Sequence, residues 1–150
     1  MLDINGIAHI ALSVKNLKKS KPFYKELLPF LGLKLVHEGN ESCYHVGSRT
    51  GILIQQIKKE EKSSIFSQNN IGLHHLCFRA RSKEDINKLA KKLLLMKARI
   101  VRGPLDGAWA PGYYYILFED PDGIRLEVNY VPGQGVLDEN NKFNANNDYL

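Results

Sequence analysis

The chain is built from one pattern used twice, and that duplication limits what it can fold into. Residues 6–14, Gly-Ile-Ala-His-Ile-Ala-Leu-Ser-Val, overlay residues 72–80, Gly-Leu-His-His-Leu-Cys-Phe-Arg-Ala. Gly6 meets Gly72, His9 meets His75, and the apolar trio Ile10, Leu12 and Val14 meets Leu76, Phe78 and Ala80. Apolar residues at every second position predict a strand with one apolar and one mixed face. Both histidines fall on the mixed face. Supersecondary repeats of this kind stack or pair to bury a shared core.

Each strand leads into a helical pattern. Ser82 is an N-cap with Asp85 three residues on, in capping-box spacing, and Ile86, Leu89, Leu93 and Met96 form the apolar stripe. In the first half Pro22 suits a first helical turn, Phe23, Leu27 and Leu28 supply apolar contacts, and Pro29 discourages continuation. Short strands are expected next, at Leu33 to His37 and at Arg99 to Arg102.

A hairpin ends each half. Asp120-Pro121-Asp122-Gly123 is a strong turn signal between Tyr113–Glu119 and Ile124–Tyr130. The matching segment is Ser48-Arg49-Thr50-Gly51, between Ser42–Gly47 and Ile52–Ile57. Aligning the halves on Gly51 and Gly123 sets Gln55 opposite Glu127. Both halves read β-α-β-β-β, an α+β class. We expect one domain over residues 1–133, with modules at about 4–60 and 71–133, a polar linker from Lys58 to Asn70, and a loose C-terminal tail over 134–150.

If the apolar strand faces pack on the helices, His9, Gln55, His75 and Glu127 all point away from them. Two imidazoles, a carboxylate and an amide oxygen suit a borderline divalent ion: Zn, Ni, Co, Mn or Fe. One histidine on a strand is usually structural, but a pair at equivalent repeat positions is harder to dismiss. Gln55 is the weakest donor, open to coordinating the ion, contacting substrate or lining the pocket. His74 reads as structural, and His37 and His45 as surface or rim residues.

Further residues can meet a substrate. Arg79, on the His75 face, suits a carboxylate or phosphate, or an ion pair with Glu127 or Glu119. Trp109, in the glycine-rich loop from Gly103 to Gly112, is either part of a lid or the anchor of that loop. Tyr113, Tyr114 and Tyr115 alternate faces, so at least one should reach the cavity; Tyr115 is a candidate substrate contact. Cys77 is expected to be inert packing near the site.

Composition narrows the partners. The net charge is +5, yet the basic residues are scattered and lack interleaved aromatic residues, which disfavours nucleic acid. No apolar run approaches the roughly 20 residues of a membrane span. Two cysteines are too few for a disulfide framework, and no secretory signal is visible, so a cytoplasmic protein acting on a small-molecule substrate is expected.

The segments His9–Val14, Phe23-Tyr24, Leu31-Gly32-Leu33, Gly72–Leu76, Asp120–Gly123 and Ile124–Glu127 resemble the vicinal oxygen chelate superfamily, which includes glyoxalase I, bleomycin-resistance proteins, fosfomycin-resistance thiol transferases and extradiol dioxygenases. The resemblance covers about residues 4 to 133. It implies tandem βαβββ modules forming a half-open mixed sheet around a metal, often paired in a homodimer. It also implies metal ligands at His9, Gln55, His75 and Glu127, with Glu127 as a possible proton shuttle and therefore catalytic. The implied function is a glyoxalase-like lyase or isomerase acting on vicinal oxygens. Alternatives are a ring-cleaving dioxygenase using His9, His75 and Glu127 alone, and a binding or resistance protein without catalysis.

Overall fold

A computed structural model describes residues 3–58 and 65–137. It divides into two compact units, Met1–Ile65 and Phe66–Leu150. Unit 1 contains β1 (Ile10–Val14), α1 (Leu17–Phe30), β2 (Lys34–Glu38), β3 (Ser42–Gly47) and β4 (Thr50–Gln56). Unit 2 contains β5 (Leu76–Arg79), α2 (Lys83–Leu95), β6 (Arg99–Asp106), β7 (Tyr114–Glu119) and β8 (Arg125–Tyr130), followed by a 3₁₀ turn at Gly135–Leu137. Each unit is thus one βαβββ module with its own four-stranded mixed sheet, ordered β1-β4-β3-β2 in the first and β5-β8-β7-β6 in the second. The pairs β1–β4 and β5–β8 are parallel and the remaining pairs antiparallel, while each helix connects the first strand of its unit to the strand at the opposite edge of the sheet.

The strand parity expected from the sequence decides which faces become core. In unit 1, Leu12, Val14, Cys43, Ile52 and Ile54 are buried together with Leu17, Tyr24, Leu27 and Leu28 of α1, which packs on β2, β3 and β4. In unit 2, Leu76, Ile116, Phe118, Leu126 and Val128 are buried with Ile86, Leu89 and Leu93 of α2. Ser82 caps α2 as expected: Asp85 N donates to Ser82 Oγ at 3.2 Å, and the Ser82 hydroxyl donates back to Asp85 Oδ2 at 2.9 Å.

Three expectations change. Helix α1 starts at Leu17 behind an Asn16 cap, more than a turn before Pro22, so both Pro22 and Pro29 lie inside it. An interior proline costs about 3 kcal/mol, whereas burying Tyr24, Leu27 and Leu28 returns roughly 1.5–3 kcal/mol for each large apolar side chain, so packing carries the helix across them. His45 is fully buried and not at the rim. It shares β3 parity with Cys43 and so must face α1, while His37 on the edge strand β2 is exposed as expected. Strand β6 continues to Asp106, pairing Leu105 with Tyr115 and Asp106 with Tyr114, which leaves a loop shorter than the sequence suggests. Residues 59–64 of the expected linker and 138–150 of the expected tail lie outside the described residues.

Candidate metal-binding site

In unit 2 the parallel pairing of β5 with β8 sets Cys77 opposite Glu127 and Arg79 opposite Asn129. Residues opposed in this way share a sheet face, so His75, Cys77, Glu127 and Asn129 share one face. Glu127 is fully buried. Its Oε1 accepts a hydrogen bond from the Tyr113 phenol at 2.6 Å, and Asn129 Nδ2 donates to the same phenol oxygen at 2.8 Å. Its Oε2 lies 3.5 Å from His75 Nε2. The other nitrogen of His75, Nδ1, is hydrogen-bonded to His74 Nδ1 at 2.8 Å.

His75 and Glu127 sit at ion-pair distance, yet burial pushes the imidazole pKa below its usual value, outweighing the upward pull of Glu127, and His74 and Arg125 push it down further. We therefore read a neutral imidazole with Nε2 facing a carboxylate, the form in which histidine binds metals. Two donors each about 2.1 Å from a tetrahedral ion stand about 3.4 Å apart, so the pair fits one divalent ion. The contact of His74 with Nδ1 orients the ring, as partners of metal-ligating histidines commonly do. His74, read as structural from the sequence, holds the Nδ1 side of the His75 ring. Among the described residues no group of three or more His, Cys, Asp or Glu side chains gathers into a metal-holding cluster. Unit 2 supplies a pair.

The loop residues support this pair from behind. Trp109, Tyr113 and Tyr115 pack edge to face, with ring centroids 4.9 to 5.8 Å apart. All three are buried with Ala110 and Leu117. Gly107 N donates to Tyr113 O at 2.9 Å and Tyr113 N to Ala110 O at 3.0 Å. Trp109 is thus the anchor of its loop. Cys77, opposite Glu127, is an exposed free thiol and not packing; its pKa is pushed far up by local desolvation and then by the carboxylate, which suits low reactivity. Arg79 is exposed. The ion pair with Glu119 goes to Arg99 at 2.9 Å and Arg125 at 3.8 Å instead.

In unit 1 His9 is exposed immediately before β1, its ring edge-on to Tyr44 at 6.5 Å. Tyr44 lies over Gly51, where a Cβ would collide with the phenol ring. Gln55 is paired with Ser13 and donates to its hydroxyl at 3.4 Å. Neighbouring Gln56 turns the other way, as alternation demands: its Oε1 accepts from Leu17 N at 2.8 Å and its Nε2 donates to Lys15 O at 2.7 Å.

Strand register corrects the repeat alignment. Ile10, after His9, pairs with Ile52; Leu76, after His75, pairs with Leu126. The residue of unit 1 equivalent to Glu127 is therefore Leu53, and Gln55 corresponds to Asn129. The cause is the hairpin. Gly47 pairs with Thr50 around a tight Ser48-Arg49 turn in which both residues have positive φ. Glu119 pairs with Arg125 around a longer turn in which Asp120 Oδ1 accepts from Asp122 N and Ile124 N, each at 2.8 Å. Gly51 and Gly123 look alike in sequence but occupy different places in their turns.

Comparison with known proteins agrees with this architecture. An uncharacterised protein of Bacillus subtilis, YqjT, is 30% identical over 123 residues, covering 80% of this chain and 94% of that protein. The metallothiol transferase FosB of Lysinibacillus sphaericus is 26% identical over 137 residues, covering 91% of this chain and 90% of that protein. A crystal structure from Bacillus halodurans, assigned as a glyoxalase, superposes with a TM-score of 0.77 at 26% identity, covering 84% of this chain and 96% of that one. Residues 6–128 match the profile of one family, and the chain belongs to the Glyoxalase/Bleomycin resistance protein/Dioxygenase superfamily.

Proposed function

We propose that the chain is a divalent-metal-dependent enzyme of the glyoxalase type, a lyase, isomerase or thiol transferase acting on a small substrate with adjacent oxygens. His9, His75 and Glu127 are its metal ligands in this reading, and Gln55 lines the pocket. The observation that carries it is the buried His75–Glu127 pair, with its donor atoms 3.5 Å apart and each side chain held from its far end. A pocket that only shelters a ligand has no use for a fully buried carboxylate facing a neutral imidazole.

When bound, the metal supplies Lewis-acid stabilisation of negative charge developing on a substrate oxygen. The chain's own residues do the rest. Tyr113 and Asn129 hold Glu127, His74 orients His75, and Arg79 offers a positive charge on the same face for an anionic substrate group. Leu53, at the first-half equivalent of Glu127, cannot move a proton. This favours chemistry driven by electrophilic activation, such as nucleophile addition or transfer, over proton exchange between two carboxylates. The name of the relative FosB, a metallothiol transferase, fits the same reading.

The three-ligand set also supports a second reading, an iron-dependent ring-cleaving dioxygenase, since two histidines and one carboxylate leave positions for a diol and O₂. Elemental analysis of the purified chain, followed by turnover assays with the metal found, separates the readings. Thiol-dependent consumption of a 2-oxoaldehyde or an epoxide supports the first. Oxygen uptake on catechols supports the second. If no stoichiometric divalent ion binds and ligand binding survives in His75→Ala and Glu127→Gln, both enzyme readings fail and a non-catalytic binding protein remains.

A further inference from the structure

We propose that Tyr113 is a positioning residue that restricts Glu127 to coordination through one oxygen, keeping a metal position open for the second oxygen of a chelating substrate. The inference rests on the metal-binding reading above and adds to it how the coordination number is set.

A carboxylate can hold a metal through one oxygen or both, and a substrate with vicinal oxygens needs two adjacent positions. Glu127 Oε1 is occupied by the Tyr113 phenol at 2.6 Å, a short, strong contact of the kind a carboxylate makes with a hydroxyl donor. The phenol has one hydrogen to give. Asn129 Nδ2, donating to the phenol oxygen at 2.8 Å, occupies its acceptor side and directs that hydrogen at Glu127. Glu127 Oε2 is the oxygen that faces His75 Nε2.

The phenol is also held in place. The Tyr113 ring packs edge to face on both Trp109 and Tyr115, and its backbone is tied at both N–H and C=O to Ala110 and Gly107. Glu127 has no exposed surface, so bulk water does not take over the phenol's place.

The test uses the full chain loaded with Mn²⁺, reading the exchangeable waters on the ion by water-proton relaxation and titrating oxalate as the vicinal-oxygen probe and acetate as its one-carboxylate control. In Tyr113→Phe, Mn²⁺ binding is expected to persist with about one fewer exchangeable water, because both Glu127 oxygens now coordinate. Oxalate affinity is expected to fall about 10-fold or more while acetate affinity holds, within the range that loss of a supporting partner produces. Wild-type water count and oxalate affinity in Tyr113→Phe would overturn the proposal. If circular dichroism shows that Tyr113→Phe does not fold, Asn129→Leu, which keeps the phenol but removes the group that aims it, is read in the same assays. There a partial loss of water and oxalate affinity is expected, and unchanged values overturn the proposal. A wild-type chain that takes up no Mn²⁺ or other divalent ion sinks the metal reading and this inference together, a result distinct from a metal-loaded chain in which Tyr113 proves irrelevant.

Discussion

Leu53 stands in unit 1 where Glu127 stands in unit 2, each lying one residue past the register partner of the residue that follows the repeat-matched histidine of its own half, His9 or His75. Two modules with the same strand order therefore present opposite chemistry at one matched position, an aliphatic side chain in one and a buried carboxylate in the other.

That asymmetry yields the first prediction. Gln55→Ala should change divalent-metal affinity by less than about 3-fold, whereas His75→Ala and Glu127→Gln should each cost more than the roughly 10- to 100-fold typical of removing a mere supporting partner. Leu53→Glu, which adds a donor at the matched position, should tighten binding. Calorimetric titration with Mn²⁺ or Zn²⁺ measures all four. Loss of binding in Gln55→Ala would restore the amide as a ligand.

Acid should destabilise unit 1 through His45. The side chain is fully buried, neither ring nitrogen has a hydrogen-bond partner among the described residues, and its pKa is lowered from 6.5 by burial first and Lys25 second, against a smaller opposing pull from Glu38. Above 6.5 both folded and unfolded chains hold it neutral. As pH falls below 6.5 the unfolded chain takes up a proton that the folded chain refuses, so stability declines toward the folded pKa. Urea midpoints at about pH 7.5 and about pH 5.5 should therefore differ. His45→Leu should reduce the difference without abolishing it, because His75 is shifted in the same direction.

The loop before β7 depends on a position without a side chain. A Cβ on Gly107 would run into the Trp109 ring and press on Tyr113. Gly107→Ala should cost about 1–3 kcal/mol, as overpacking does, and Trp109→Ala about 3–5 kcal/mol, as deleting a large buried ring does. Urea unfolding followed by circular dichroism tests both. A Gly107→Ala chain of wild-type stability would mean that the loop is not clamped.

Adjacent glutamines should behave oppositely. Gln56 caps the Leu17 N–H and holds Lys15 O, so Gln56→Ala should lose about 1–2 kcal/mol and speed hydrogen exchange in the first turn of α1. Gln55→Ala should leave that exchange unchanged.

Most of the fold was legible because period-two alternation and the Ser82 N-cap are local signals, each readable within a few residues. The His75–Glu127 pair was legible through parity: both sit on the mixed face of strands that the repeat forces together. What could not be read was anything set by turn length. Ser48-Arg49-Thr50-Gly51 looks like Asp120-Pro121-Asp122-Gly123, but a non-glycine turn with positive φ leaves little signature in sequence, and a shift of two residues preserves parity, so the misalignment raised no conflict. His45 was misread for a different reason. Its lack of a repeat partner argued for the rim, whereas its alternation with Cys43 pointed inward. Tyr113 was anticipated as one of three alternating tyrosines, but its contact with Glu127 joins a loop residue to a strand 14 residues on and needed coordinates.

Trp109 is the chain's only tryptophan, and its indole rests 4.9 Å from the ring whose hydroxyl is bonded to Glu127. The protein thus carries a native optical reporter two contacts from its buried carboxylate. Light absorbed by Tyr113 and Tyr115 reaches the same indole over these short distances, so events at Glu127 can be followed by emission from the unlabelled wild-type chain.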